Sequence, residues 1–359
     1  MAGQVPSARA IQRVDSLEAL DFERSYRGKQ PVIVTGGARE LPLFNKWDLS
    51  YLRSVAGEAP VDVSHYRSTR GDYDDIEHKP WKLGDFIERL THQEPGDVTY
   101  LFPNPSCIFA RNEARKDLHT GWASAVNPGL LRLSDDFRLP SFLRPDDFVI
   151  ASLILGTRKN ATDLHYDWGG EGKVIAQVRG RRRIRLVSPD AAPALRLNTM
   201  FEGSGEDSEQ KAPHERNPTR GQGAMTPERY AELVPWTYSG ELDEGDLVYW
   251  PAFWFHEADN LTDPSLALSI FLDEIQLQPL LLRHLLLHSC NAFAAVIHGQ
   301  LEGAPMTSSD LERIALTYDG LPFADLLELF REYERFLLSS RCVGIRNLWA
   351  WNSTTVVAE

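Results

Sequence analysis

Five short runs of β-branched and apolar residues, at 148–155, 173–179, 182–187, 246–250 and 266–272, dominate the second half of this chain. Each is bounded by Gly, Pro or Asp, residues that end strands and turn the backbone. Such short, turn-punctuated strands predict an antiparallel sandwich or barrel. The rest of the chain fits around a mainly β core with flanking helices. Residues 15–35 read as a helix capped at Asp15 or Ser16 and stopped at Gly28, then a strand at Pro31-Val-Ile-Val-Thr35. Short helices are expected at 47–55 and 82–90, while Pro103, Pro105, Pro128, Pro140 and Pro145 predict irregular backbone over 103–146. Residues 202–223, rich in Gly, Glu and Arg, read as a long exposed insertion. After Gln276 the spacing turns helical, with a capping box at Ser309 and Glu312, a stop at Gly320 and an apolar face through Phe323, Leu326, Leu327 and Phe330. The expected organisation is mixed α/β elements over 1–146, the β core over 147–275 and a helical region over 276–359. The apolar face of that last region suits either the core or a second copy in a homodimer.

Charge narrows the class of partner. The 51 acidic residues outnumber 38 Lys and Arg, giving a net charge of −13, which argues against gripping nucleic acid through its phosphates. Cys107, Cys290 and Cys342 are too few and too scattered for a disulfide framework or a zinc knuckle. The first thirteen residues lack the apolar stretch of a secretory signal, and no 18-residue apolar run offers a membrane span. A reducing cytoplasm is the expected compartment.

Chemistry concentrates at Leu164-His165-Tyr166-Asp167 and at a distant His256. Residues two apart on a strand face the same way, so His165 and Asp167 can converge while Tyr166 points away. A histidine from another strand completes a two-histidine, one-carboxylate face, which leaves adjacent positions open on an octahedral ion and suits non-haem Fe(II). An isolated His-x-Asp also arises by chance, and His256 at the end of Tyr249-Trp-Pro-Ala-Phe-Trp-Phe-His256 also fits a packed core histidine. The run Gly180-Arg-Arg-Arg-Ile-Arg-Leu186 adds a third feature. Period two places Arg182 with Ile184 and Leu186 on the inward face, and Arg181, Arg183 and Arg185 on the wet one. A buried guanidinium requires an anion, either a bound carboxylate or phosphate or an internal Asp or Glu. His284 and His288 lie four apart but lack the surroundings of a zinc motif.

Three blocks, LILGTRKNATDLHYD, VIAQVRGRRRIRLVSP and GDLVYWPAFWFHEADNL, resemble the JmjC/cupin-like 2-oxoglutarate oxygenases. The similarity is to the hydroxylase branch that includes the asparaginyl hydroxylase of hypoxia-inducible factor. Weaker likeness at KQPVIVTG and LLRLSDDFRLPSFL extends it over roughly residues 15–275. The resemblance implies a double-stranded β-helix of the cupin or jelly-roll kind, with Fe(II) on His165, Asp167 and His256. It implies 2-oxoglutarate as co-substrate, its far carboxylate on Arg182 and Thr162, with Tyr100 as a further hydroxyl. It also implies dioxygen as a reactant and an amino-acid side chain of a protein, peptide or peptide-like small molecule as substrate. A non-oxidative metal cupin and a catalytically silent binding protein are the alternatives. The chain departs from the resembled pattern at Lys173, where Asn is usual in the co-substrate pocket. It departs also in the glycine-rich loop Trp168-Gly-Gly-Glu-Gly172 and at Ser269-Ile-Phe271.

Overall fold

The computed structural model describes residues 8–65, 77–92, 99–101, 107–110, 128–158, 160–167, 171–191 and 227–274. The chain opens with two short strands, β1 (Arg9–Ala10) and β2 (Gln12–Val14), then α1 (Ala19–Ser25) and β3 (Val32–Val34). Three helices follow with two strands among them: α2 (Pro42–Lys46), α3 (Leu49–Ala56), β4 (Pro60–His65), β5 (Glu77–Lys82) and α4 (Leu83–Thr91). Strands β6 (Thr99–Leu101) and β7 (Cys107–Ala110) precede the core strands β8 (Phe148–Gly156), β9 (Ala161–His165), β10 (Glu171–Arg179) and β11 (Arg182–Val187). A helix α5 (Pro227–Leu233) leads into β12 (Thr237–Leu242), β13 (Leu247–Trp250), β14 (Phe255–Asn260) and β15 (Ser265–Asp273).

The strands form two sheets, one ordered β1-β12-β11-β14-β9 and a larger one ordered β2-β3-β13-β10-β15-β8-β6-β4-β5, with β7 also on β8. Within them, β13-β10-β15-β8 faces β12-β11-β14-β9, and every pairing inside these two quartets is antiparallel. The chain switches sheets at almost every turn between β8 and β15, which is the jelly-roll winding of a double-stranded β-helix. The expected mainly β fold is the observed one.

Alternation along the strands separates two cores. Ile175 of β10, Ile154 of β8 and Trp250 of β13 meet Ile184, Leu186 and Leu242 of the smaller sheet in the space between the sheets. Val174, Ala176 and Val178 of β10 face the other way, onto Phe22, Leu43, Leu52 and Phe86 from the four N-terminal helices. The larger sheet is therefore buried on both faces, so β8 and β15 read as continuous apolar runs. The smaller sheet has a wet face. Along β11, Arg182, Ile184 and Leu186 are buried while Arg183 is exposed, as period two predicts.

Several local expectations need correction. Helix α1 is capped at Glu18, without a side-chain cap bond, and not at Asp15 or Ser16. The apolar Cys-Ile-Phe-Ala segment pairs with β8, so 103–146 is not irregular throughout. Its prolines flank that strand and start 3₁₀ turns at Pro128–Asp136 and Pro145–Asp147. Helices α3 and α4 start two and one residues later than expected, α3 beginning after Asp48, whose side chain accepts from the Tyr51 N–H. The insertion at 202–223, the helices after 276 and any dimer face on them lie outside the described residues. No helix among the described residues is long and apolar enough to cross a membrane.

One turn sets the phase of the site. Gly180 links β10 in one sheet to β11 in the other, at φ +74°. A Cβ there would lie 2.3 Å from the Pro264 carbonyl oxygen and 2.4 Å from Thr262 Oγ1, so only glycine fits. Arg182 enters β11 directly after this turn, facing inward.

Candidate metal centre

His165 closes β9 and lies directly opposite His256 of β14, their ring centroids 4.2 Å apart. Asp167 follows two residues beyond the end of β9. Its Oδ1 is 3.9 Å from His165 Nε2 and its Oδ2 is 3.6 Å from His256 Nε2. One donor atom from each of the three residues lies within 4.8 Å of the others. Tyr166 points away, as expected, and its buried ring packs on Phe255 at 5.2 Å and Phe253 at 6.0 Å. That contact clasps the segment carrying His165 and Asp167 to the one carrying His256. Phe253 has φ 61°, unusual for a non-glycine residue, in the turn that aims His256.

Electrostatics prepares these atoms for a cation. His256 Nδ1 is 3.1 Å from the Trp254 carbonyl oxygen, which can only accept, so Nδ1 carries the proton and Nε2 presents its lone pair. Burial is the main cause that brings the His256 pKa down to about 4, which keeps the ring neutral at physiological pH. Burial alone would raise Asp167, but Lys173, then His256 and His165, hold its carboxyl well below the usual range. Two imidazoles and one carboxylate are a donor set that fits Fe(II) and leaves coordination positions for other ligands.

Lys173 enters the site from β10, with Trp250 and Phe271 as its cross-strand neighbours. Its ammonium is 2.6 Å from Asp167 Oδ2, 4.5 Å from the Phe271 ring centroid and 5.7 Å from that of Trp250. Period and spacing do not reveal this ion pair, because it crosses between sheets. Ser269 is buried two register positions further along β15, opposite Ile175.

The inner face of the smaller sheet forms a ladder running away from the histidines. Leu186, His256 and His165 share one level, Ile184, Ala258 and Thr162 the next, and Arg182 lies opposite Asn260 beyond them. His165 and Thr162 are three residues apart, yet they lie opposite His256 and Ala258, which are two apart. A β-bulge in β9 accounts for the difference and puts Thr162 on the His256 side. Arg182 is 2% exposed and its Nε donates to Asn260 Oδ1 at 3.1 Å, while Asn260 Nδ2 donates to the Thr157 carbonyl at 3.0 Å. Asn260 was missed by sequence reasoning, although counting by twos from His256 reaches it. Tyr100 lies on β6 opposite Gly156 of β8, in the other sheet, and nothing of its side chain is described. Trp168, Gly169, Gly170, His284 and His288 lie outside the described residues, while Glu171 and Gly172, read from the sequence as part of the same loop, already open β10.

The outward arginines of β11, and Arg181 just before it, are paired. Arg181 meets Glu241 at 2.7 Å and Asp243 at 2.8 Å, Arg183 meets Glu241 at 3.2 Å, and Arg185 meets Glu257. This stripe, the most basic run in the sequence, is an internally neutralised lattice.

A jelly roll that gathers two histidines and a carboxylate between its sheets defines the cupin class. A family described as a cupin-like domain matches residues 19–276. The chain belongs to that cupin-like family, the one its three sequence blocks implied. Relatives include tRNA wybutosine-synthesizing protein 4 of Gibberella zeae, 26% identical over 74% of this chain and 24% of the relative. Another is tRNA wybutosine-synthesizing protein 5 of Gallus gallus, 24% identical over 71% of this chain and 73% of the relative. A third is lysine-specific demethylase 8 of Danio rerio, 26% identical over 63% of this chain and 44% of the relative. The match thus spans about a quarter of the fungal protein and most of the chicken one.

Proposed function

We propose that the protein is an Fe(II)- and 2-oxoglutarate-dependent oxygenase that hydroxylates a C–H bond of an amino-acid side chain in a protein, peptide or peptide-like small molecule. The observation that carries this reading is the inner-face ladder, with His165, Asp167 and His256 at one end and the buried Arg182 at the other. Iron with 2-oxoglutarate supplies the oxidising power, activating dioxygen as the co-substrate becomes succinate and carbon dioxide. His165, Asp167 and His256 hold the metal through Nε2, a carboxylate oxygen and Nε2. Arg182 holds the far carboxylate of 2-oxoglutarate. Its Cα lies four residues, about 13 Å, along the strand from the level of His256, and its long side chain covers part of that span. Thr162, one level from the histidines, donates its hydroxyl to the same carboxylate. Trp250, Trp254 and Phe271, all nearly fully buried, wall the site and exclude water.

A second reading, hydroxylation of a tRNA base, draws on the printed names of the two wybutosine-synthesizing relatives. The net charge of −13 and the self-paired arginines of β11 weigh toward an amino-acid substrate. Succinate release from 2-oxoglutarate, measured with Fe(II) in air, tests the oxygenase reading. Peptide libraries and bulk tRNA, each followed by mass spectrometry for a gain of one oxygen, separate the two substrates. No succinate release above the protein-free rate, or release that does not require Fe(II), contradicts the assignment.

A further inference from the structure

We infer that Lys173 makes metal loading conditional: its ammonium competes with a divalent cation for Asp167, so the metal and an anionic chelator load together. The inference rests on the oxygenase reading and specifies how that site fills. Asp167 is the single acid of the ligand set, and its Oδ2 is shared between Lys173 Nζ at 2.6 Å and His256 Nε2 at 3.6 Å. A divalent ion held by the same carboxylate acquires an ammonium group as a near neighbour, and like charges repel strongly in a site screened from water.

Lys173 has no easy exit. It is 8% exposed, and its side chain lies between the rings of Trp250 and Phe271. An ammonium that loses Asp167 to a metal therefore stays inside and requires another anion. A 2-oxo acid chelating the same metal supplies one. Each ligand then raises the affinity of the other, by the reciprocity that linkage demands. A neutral residue at 173 removes both the competition and most of the coupling.

The test is calorimetric titration of the metal-free full chain with Mn(II), with and without saturating 2-oxoglutarate. It compares the wild type with Lys173→Asn and Lys173→Arg, each first shown by its melting curve to be folded. The expected result is that Lys173→Asn binds Mn(II) alone on the order of tenfold tighter than the wild type. 2-Oxoglutarate tightens Mn(II) more in the wild type than in Lys173→Asn, and Lys173→Arg, which keeps the charge, follows the wild type. If Lys173→Asn binds Mn(II) no tighter than the wild type, or Lys173→Arg follows Lys173→Asn, the inference is overturned and the oxygenase reading stands. If none of the three binds Mn(II) even with 2-oxoglutarate, both fall together.

Discussion

The Lys173 ammonium lies 2.6 Å from Asp167 Oδ2, and both side chains are largely shielded from water. Each is the other's principal counter-charge, so the carboxylate proposed to hold a metal is already half of an ion pair. Removing one partner strands the other in a site walled by aromatic rings.

Asp167→Ala therefore does more than delete a ligand. It is expected to abolish Mn(II) binding and turnover, and to lower stability by about 2–4 kcal/mol because Lys173 is left buried without its carboxylate. The double variant Asp167→Ala/Lys173→Met recovers most of that stability but none of the metal binding. Thermal melts beside calorimetry check both halves, and an Asp167→Ala protein with full activity would sink the ligand assignment.

The role proposed for Arg182 separates co-substrate binding from metal binding. Arg182→Ala is expected to raise the KM for 2-oxoglutarate by on the order of 10–100-fold, the loss of a charge-assisted contact, and to leave Mn(II) affinity alone unchanged. Arg182→Lys keeps the charge but loses the Nε bond to Asn260, and falls between them. Equal losses of metal and 2-oxoglutarate affinity in Arg182→Ala would mean that the residue is merely structural.

Gly180→Ala tests the turn that sets the phase of β11. Its φ of +74° and the 2.3 Å approach to the Pro264 carbonyl predict a loss of about 2–4 kcal/mol. Chemical denaturation measures it, and a neutral effect would show that the turn relaxes freely.

Glu274 gives stability a pH dependence. Burial first, opposed by the Tyr249 hydroxyl and Arg27, raises its pKa from 4.5 to about 8. The folded state thus holds a proton that the unfolded chain releases between those values. The stabilisation is fully present below pH 4.5 and is lost as pH rises through about 8. Glu274→Gln, neutral at every pH, is expected to gain stability relative to the wild type between pH 5 and 8. Parallel stability curves for the two proteins over that range would refute the shift.

Legibility in the sequence followed solvent exposure. Strand β11 has one wet face, so alternation alone placed Arg182, Ile184 and Leu186 inward and the other arginines outward. Strands β8 and β15 are covered on both faces, so their apolar runs announced strands but not which residues line the site. Thr162 came from resemblance, because the bulge in β9 breaks the parity that would otherwise turn it from the His256 side. Strands β9, β12 and β14 were not delimited, although β9 and β14 carry the histidines; their polar and aromatic residues reflect the site more than the strand. The Lys173–Asp167 pair was invisible because β10 and the end of β9 meet only through the winding of the two sheets.

Whether one buried site holds iron and 2-oxoglutarate together is decided by anaerobic titration of the metal-free chain with Fe(II) and then 2-oxoglutarate. The expected result is a saturable visible charge-transfer band of a metal-chelated 2-oxo acid, absent in Asp167→Ala and requiring far more 2-oxoglutarate in Arg182→Ala. Iron bound at His165, Asp167 and His256 with no such band at any 2-oxoglutarate concentration would contradict it and leave a cupin with non-oxidative chemistry.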